Sequence, residues 1–267
     1  MEEPTDFFEK HRPKRYSKIL GNDLPIAYYR NVTISGLPPR SSLFYGDGGL
    51  GKTITSLVYA KGITCLNFDG DVCGKCGPCL AMEKNYPGNY LGNDIYYYNC
   101  TLTSEATIED LLQHRIHFRS SNKIKKSIHI FDEFHRTKPS TRDKFLRPLE
   151  TSQHALFIFC LIDISSIESA FLQRVTRWKF IRPKINEIIP WLLRLCTEEG
   201  IVVQDNDALK YLAELADRIP RECLNLLQKI ARFREPLTAE LVQKLSTDLR
   251  PVTIDDESYE VLEDDEN

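Results

Sequence analysis

Gly46-Asp47-Gly48-Gly49-Leu50-Gly51-Lys52-Thr53 is the stretch from which the fold can be read. It fits G-x-x-x-x-G-K-[ST] and lies between a short buried strand, Ser42-Leu43-Phe44-Tyr45, and a helix predicted from Thr53 to about Lys61. Gly46, Gly48, Gly49 and Gly51 let successive backbone N–H groups turn toward phosphate oxygens. The helix N-terminus behind them adds partial positive charge. Lys52 is expected to reach the β- and γ-phosphates, and the Thr53 hydroxyl to bind Mg²⁺. A chance glycine-rich turn is the plain alternative, and the strand–loop–helix setting argues against it.

A second element matches the first. Ile128-His129-Ile130-Phe131-Asp132-Glu133 reads as a strand delivering two carboxylates to its C-terminal end, where open α/β sheets bind ligands. Asp132 is expected to hold Mg²⁺, and Glu133 to orient and polarise an attacking water. The N-K-x-D guanine signature is absent, which favours ATP.

Further strands are predicted at Asp94–Tyr98 and Leu156–Leu161, with helices at Glu105–Phe118 and 139–150, the last distorted by Pro148. Residues 1–40, with Pro4, Pro13, Pro25, Pro38 and Pro39, read as an irregular lead-in with short helices. The alternation implies a parallel sheet with helices on its faces. After Pro183 the strand signal stops, and four amphipathic helices follow (Asn186–Glu199, Asp207–Asp217, Pro220–Phe233, Thr238–Ser246). The expected organisation is an α/β nucleotide-binding domain at 1–183, an all-α domain at 184–248 and an acidic tail at 249–267 without fixed structure.

Cys73-Gly74-Lys75-Cys76-Gly77-Pro78-Cys79, with Cys65 upstream, forms C-x₇-C-x₂-C-x₂-C. Four thiolates suit tetrahedral Zn²⁺ in a module at about 62–90, closed and therefore structural. Free buried thiols and an iron–sulfur cluster are the alternatives. Cys100, Cys160, Cys196 and Cys223 are isolated and read as core residues.

Charge is unevenly spread. The chain carries 35 Lys plus Arg and 38 Asp plus Glu, but eight of the acids lie in 255–267, leaving a mildly basic body. No apolar run approaches the ~18 residues of a membrane span, and Met1-Glu2-Glu3-Pro4 is not a secretory signal. No membrane partner is expected, and a reducing, cytoplasmic setting is.

Together these motifs resemble the AAA+ ATPase subunits of DNA sliding-clamp loaders, most closely the gamma/tau type of bacterial DNA polymerase III. The resemblance covers roughly residues 8–248: an opening box at His11-Arg12-Pro13 with Leu20-Gly21-Asn22, the phosphate loop, the zinc module after its helix, the Asp-Glu pair, Gln173-Arg174-Val175, and Arg221-Glu222-Cys223-Leu224-Asn225-Leu226-Leu227 in the lid. It implies that Arg12 lies near the adenine, that Arg174 acts in trans on a neighbour's γ-phosphate, and that Arg221 reads the nucleotide in cis. It also implies a five-membered ring of loader subunits that opens a sliding clamp and places it on primer–template DNA through backbone contacts. Lys123, Lys125 and Lys126, or Arg136, Lys138, Arg142, Lys144 and Arg147, are the candidate DNA contacts, the second group being preferred.

The chain also departs from the pattern. The polar sensor-1 position falls on Leu161 and Ile162, and the residues flanking Arg174 are changed. The resemblance stops before the family's collar domain, which implies a compact version of the subunit such as a phage-encoded or short form. Two other readings therefore stand beside the clamp-loader motor: a subunit that binds ATP and hydrolyses it weakly, and another AAA+ ATPase of DNA metabolism.

Overall fold

The computed structural model describes residues 6–249, so the acidic run at 255–267 lies outside the described residues. β1 (Ser41–Tyr45), β3 (Ile95–Asn99), β4 (Ser127–Asp132) and β5 (Ala155–Leu161) are buried at most positions, rich in apolar and aromatic residues with serines at the starts of β1 and β4, as strands covered on both faces are. They run parallel in a six-stranded sheet of order β2-β3-β4-β5-β1-β6. The two edge strands are additions to the sequence reading. β2 (Tyr90–Gly92) pairs antiparallel with β3, and β6 (Thr176–Lys179) pairs parallel with β1.

Alternation along each strand separates two cores. Phe44, Ile130, Ile158 and Cys160 face α2 (Asp23–Ser35), α3 (Lys52–Thr64) and α4 (Gly77–Asn85). Leu43, Phe131, Phe157 and Phe159 face α5 (Glu105–Gln113) and the α6–α8 segment (Pro139–Asp143, Leu146–Thr151, Ser169–Leu172). The lead-in is more regular than expected, because α2 runs 13 residues and Pro25 sits in its first turn, where no helical N–H is needed. The helix predicted at 139–150 breaks at Lys144-Phe145. Pro148 lies in the first turn of α7, and its ring would collide with the Lys144 carbonyl if the helix ran through.

α9 (Ile185–Glu198), α10 (Asn206–Leu215), α11 (Pro220–Phe233) and α12 (Ala239–Leu249) pack around a third core. Asp205 caps α10 by accepting the Ala208 N–H at 2.7 Å. α1 (Phe7–Lys10) joins this helical core rather than the sheet: Phe7 is buried there, and Phe8 and Leu20 pack beside it. His11 Nε2 and Lys10 Nζ reach Glu199 at 2.5 and 2.7 Å. Residues 7–20 are thus a strap between the helical domain and the sheet domain.

His129 on β4 is fully buried between Tyr96 and Phe157, with Nε2 2.8 Å from Ser127 Oγ and Nδ1 unpartnered. Burial pushes its pKa down to about 3. The unfolded chain takes up a proton below the ordinary pKa of about 6.5 that the folded chain refuses, so this stability is intact above pH 6.5 and is lost as pH falls toward 3. His129→Phe should flatten the urea-midpoint profile, closing a gap of about 2 kcal/mol between pH 7 and pH 5. Parallel profiles for parent and variant would contradict the assignment.

Candidate functional site

The loop between β1 and α3 is a turn that only glycine permits at two points. Gly46 has φ 137°, and a Cβ there would lie 2.3 Å from the Phe180 carbonyl oxygen. Gly49 has φ 75°, and a Cβ there would lie 2.6 Å from Ile219 Cγ2 of the helical domain. Gly51 precedes α3 without a side-chain cap, so the first N–H groups of this 13-residue helix remain donors for an anion. Lys52 is 8% exposed, and its Nζ donates to the Gly46 and Asp47 carbonyls at 2.6 Å, which holds the ammonium inside the loop. Burial lowers its pKa, against the pull of Cys160 and of the Glu133, Asp132 and Asp47 carboxylates.

Asp132 ends β4 beside this loop. Thr53 Oγ1 donates to both its oxygens at 2.9 and 3.0 Å. Glu133 follows with φ 54°, its carboxylate 3.5 Å from His135 Nε2. These groups line one cleft of about 350 Å³, together with Arg12, Trp191, Arg221, Tyr97 and Asn99. Arg12 lies over the Tyr86 ring, 4.2 Å from its centroid, and Arg221 lies 5.0 Å from that of Phe8. The cleft therefore gathers residues 48–53 of the phosphate loop, both carboxylates, Arg12 and Arg221, while Gly46, expected to face the phosphates, lies outside it with its N–H on the Ile162 carbonyl. The chemistry of this donor set, open N–H groups and a cation facing two carboxylates and a hydroxyl, fits a nucleotide with Mg²⁺.

Arg174 stands apart from the cleft residues. Its guanidinium meets Glu150, with Nε 2.7 Å from Oε1, and the Ala170 carbonyl. Leu161 is buried at the end of β5, and Ile162 contributes its carbonyl to Gly46 N–H at 3.0 Å. The basic group near α6 also needs correction. Arg142 is buried and held by Glu168 and by the Thr137 and Ser166 carbonyls, so it is no surface contact. Lys138 and Lys144 pair with Glu105 and Glu109, while Arg136 and Arg147 are exposed. Tyr97, Tyr86, Phe8 and Trp191 had no motif to reveal them, because tertiary packing alone brings them to the cleft.

The four cysteines converge. Sγ atoms of Cys65, Cys73, Cys76 and Cys79 all lie within 4.8 Å of one another, with contacts of 3.4 Å (Cys76–Cys79) and 3.9 Å (Cys65–Cys76, Cys73–Cys79). Tetrahedral zinc with Zn–S near 2.3 Å needs edges of about 3.8 Å, so the set fits. The Lys75 N–H above all, with the Cys76 N–H and against the cost of burial, brings Cys73 down to about 6. Asp71 beside the cluster accepts the Tyr16, Ser17 and Val72 N–H groups, tying the module to the strap.

No protein-family model matches the chain. It is 31% identical over 238 residues to the DNA polymerase III subunit gamma/tau of Mycoplasma pneumoniae, covering 88% of this chain and 34% of the relative. It is 28% identical to the subunit of the same name from Mycoplasma genitalium, covering 86% and 38%. The chain thus spans little more than a third of the length of these relatives. Among solved structures, Thermotoga maritima RuvB superimposes with a TM-score of 0.65 at 14% identity, over 90% of this chain and 73% of that one. The fold is the AAA+ fold, a mostly parallel sheet followed by a helical domain. No helix among the described residues is long and apolar enough to cross a membrane.

Two tests follow from this geometry. Metal analysis should find about one zinc per chain, and Cys79→Ser should lose it with a lower thermal midpoint; a metal-free protein with the parent's midpoint would remove the structural role. Arg182 bridges Asp47 at 3.0 Å and also Asp217, across the loop and the helical domain. Both pairs are partly exposed, so Arg182→Ala should cost no more than about 1 kcal/mol in urea unfolding; a larger loss would make the bridge a principal link between the domains.

Proposed function

We propose that this chain, an AAA+ protein homologous to the gamma/tau subunits of DNA polymerase III, is an ATP-hydrolysing subunit of a DNA sliding-clamp loader. The observation that carries the reading is the single cleft in which the phosphate loop, Asp132, Glu133 and the helical-domain Arg221 meet. The named relatives supply the replication context.

In this reading the loop N–H groups and Lys52 hold the phosphates, while Thr53 and Asp132 hold Mg²⁺. Bound Mg²⁺ would neutralise charge on the β- and γ-phosphate oxygens. Glu133 would take a hydrogen bond from the attacking water and aim it in line with the leaving oxygen. Arg12 would lie on the adenine side. Arg221 would report the nucleotide to the lid, since its own Cβ is 3.0 Å from the position of a Cβ on Gly49. Arg174, held on the surface by Glu150, would serve the site of an adjacent subunit in a ring of five. Exposed Arg136 and Arg147 would meet the DNA backbone.

A second reading, a subunit that binds ATP and hydrolyses it weakly, is favoured by one observation. Leu161 and Ile162 place no polar side chain where the resemblance puts sensor 1. The two readings divide on activity. Glu133→Gln should retain ATP binding and lower hydrolysis by about 10²-fold or more, measured with clamp and primed DNA present. A variant as active as the parent would sink the motor reading. Immobilised chain should retain a sliding clamp with ATP and release it without; ATP-independent or absent capture would count against the loader assignment.

A further inference from the structure

Asp132 is held from two sides. Thr53 approaches from the phosphate loop, and the Tyr97 hydroxyl donates to Oδ2 at 2.8 Å. Tyr97 stands on β3, in register with Ile130 of β4, and is 8% exposed. The phenol supplies the O–H of this bond, and the carboxylate accepts it. A protonated phenol can orient a carboxylate without taking a metal position.

The ring of Tyr97 is itself supported. Tyr86 packs against it at 5.8 Å with planes 64° apart, and Arg12 covers the Tyr86 ring. Tyr86 directly follows α4, the helix that begins beside Cys76 and contains Cys79. The zinc-module helix therefore ends at the wall of the cleft. An aliphatic residue at 97 would fill the same strand position and leave Asp132 with Thr53 as its one side-chain donor.

We propose that Tyr97 is a positioning residue for Asp132, fixing the carboxylate that binds Mg²⁺, with Tyr86 and Arg12 holding its ring in place. The proposal rests on the metal-binding role given to Asp132 above. It predicts a split between nucleotide affinity and Mg²⁺ dependence. Binding of a fluorescent ATP analogue to the full chain is measured in EDTA and then along a Mg²⁺ titration. Tyr97→Phe should match the parent in EDTA but need at least about tenfold more Mg²⁺ for its half-maximal gain, the loss of one hydrogen bond to a charged acceptor. Tyr86→Ala should shift the Mg²⁺ midpoint the same way, and Tyr86→Phe should keep the parent's. A Tyr97→Phe midpoint equal to the parent's overturns the proposal. So does a loss of affinity in EDTA accompanied by a lower thermal midpoint, because that pattern belongs to a packing role. A parent whose nucleotide binding ignores Mg²⁺ would instead overturn the reading of Asp132 itself.

Discussion

The backbone of residues 46–51 passes so close to its neighbours that no side chain fits at two positions. Phe180 on the sheet side and Ile219 on the helical side occupy the space where Cβ atoms of Gly46 and Gly49 would lie. Much of the site takes its place from this contact. Phe180 continues β6, so the loop is fixed to the edge of the sheet: Phe180 N–H bonds the Tyr45 carbonyl at 2.7 Å. Ile219 begins α11, so the loop also fixes where the lid stands. Gly46 N–H is taken by the Ile162 carbonyl, but no side chain caps the start of α3, so its first N–H groups are open donors for an anion.

A ligand in the cleft would touch the loop, the strands at Tyr97 and Asp132, the strap at residues 7–20 and the lid through Trp191, Arg221 and Leu224 at once. The ion pairs that link the loop to the lid through Arg182 are partly exposed and contribute little. The strap is held more firmly, since Phe7 is buried in the lid core. Apolar burial of that size stabilises by about 2 kcal/mol, more than the surface pairs together. The lid and strap thus form one body, and the cleft lies at its joint with the sheet.

What could be read in the sequence was what is local. Lys52, Thr53 and Asp132 sit in short segments whose residue types follow from backbone geometry and phosphate chemistry. The central strands announce themselves by short runs of apolar and aromatic residues, unbroken in β5. The edge strand β6 does not: Thr176-Arg177-Trp178-Lys179 is half solvated and alternates between partly buried and exposed. α2 was obscured because Pro25 reads as a breaker unless its place in the first turn is known. Arg142 looked like a surface cation, yet the 165–168 segment folds over it and supplies its acceptors. Tyr97 and Tyr86 gain meaning only when β3, α4 and β4 are brought together.

The two adjacent carboxylates pose a problem that the backbone solves. In an extended strand successive side chains point to opposite faces, so Asp132 and Glu133 could not both line one cleft. Glu133 adopts φ 54° and ψ 38°, a left-handed conformation that costs a non-glycine residue of order 1 kcal/mol. The turn is secured by Glu133 N–H donating to Asp132 Oδ1 at 3.1 Å and by Arg136 N–H donating to the Glu133 carbonyl at 2.9 Å. The strain swings the second carboxylate back to the side of the first. Glu133, with His135 Nε2 3.5 Å from its carboxylate, then lines the cleft together with Asp132. The left-handed turn at Glu133 is thus what lets two adjacent residues supply both acids to the cleft, which an extended strand end would not allow.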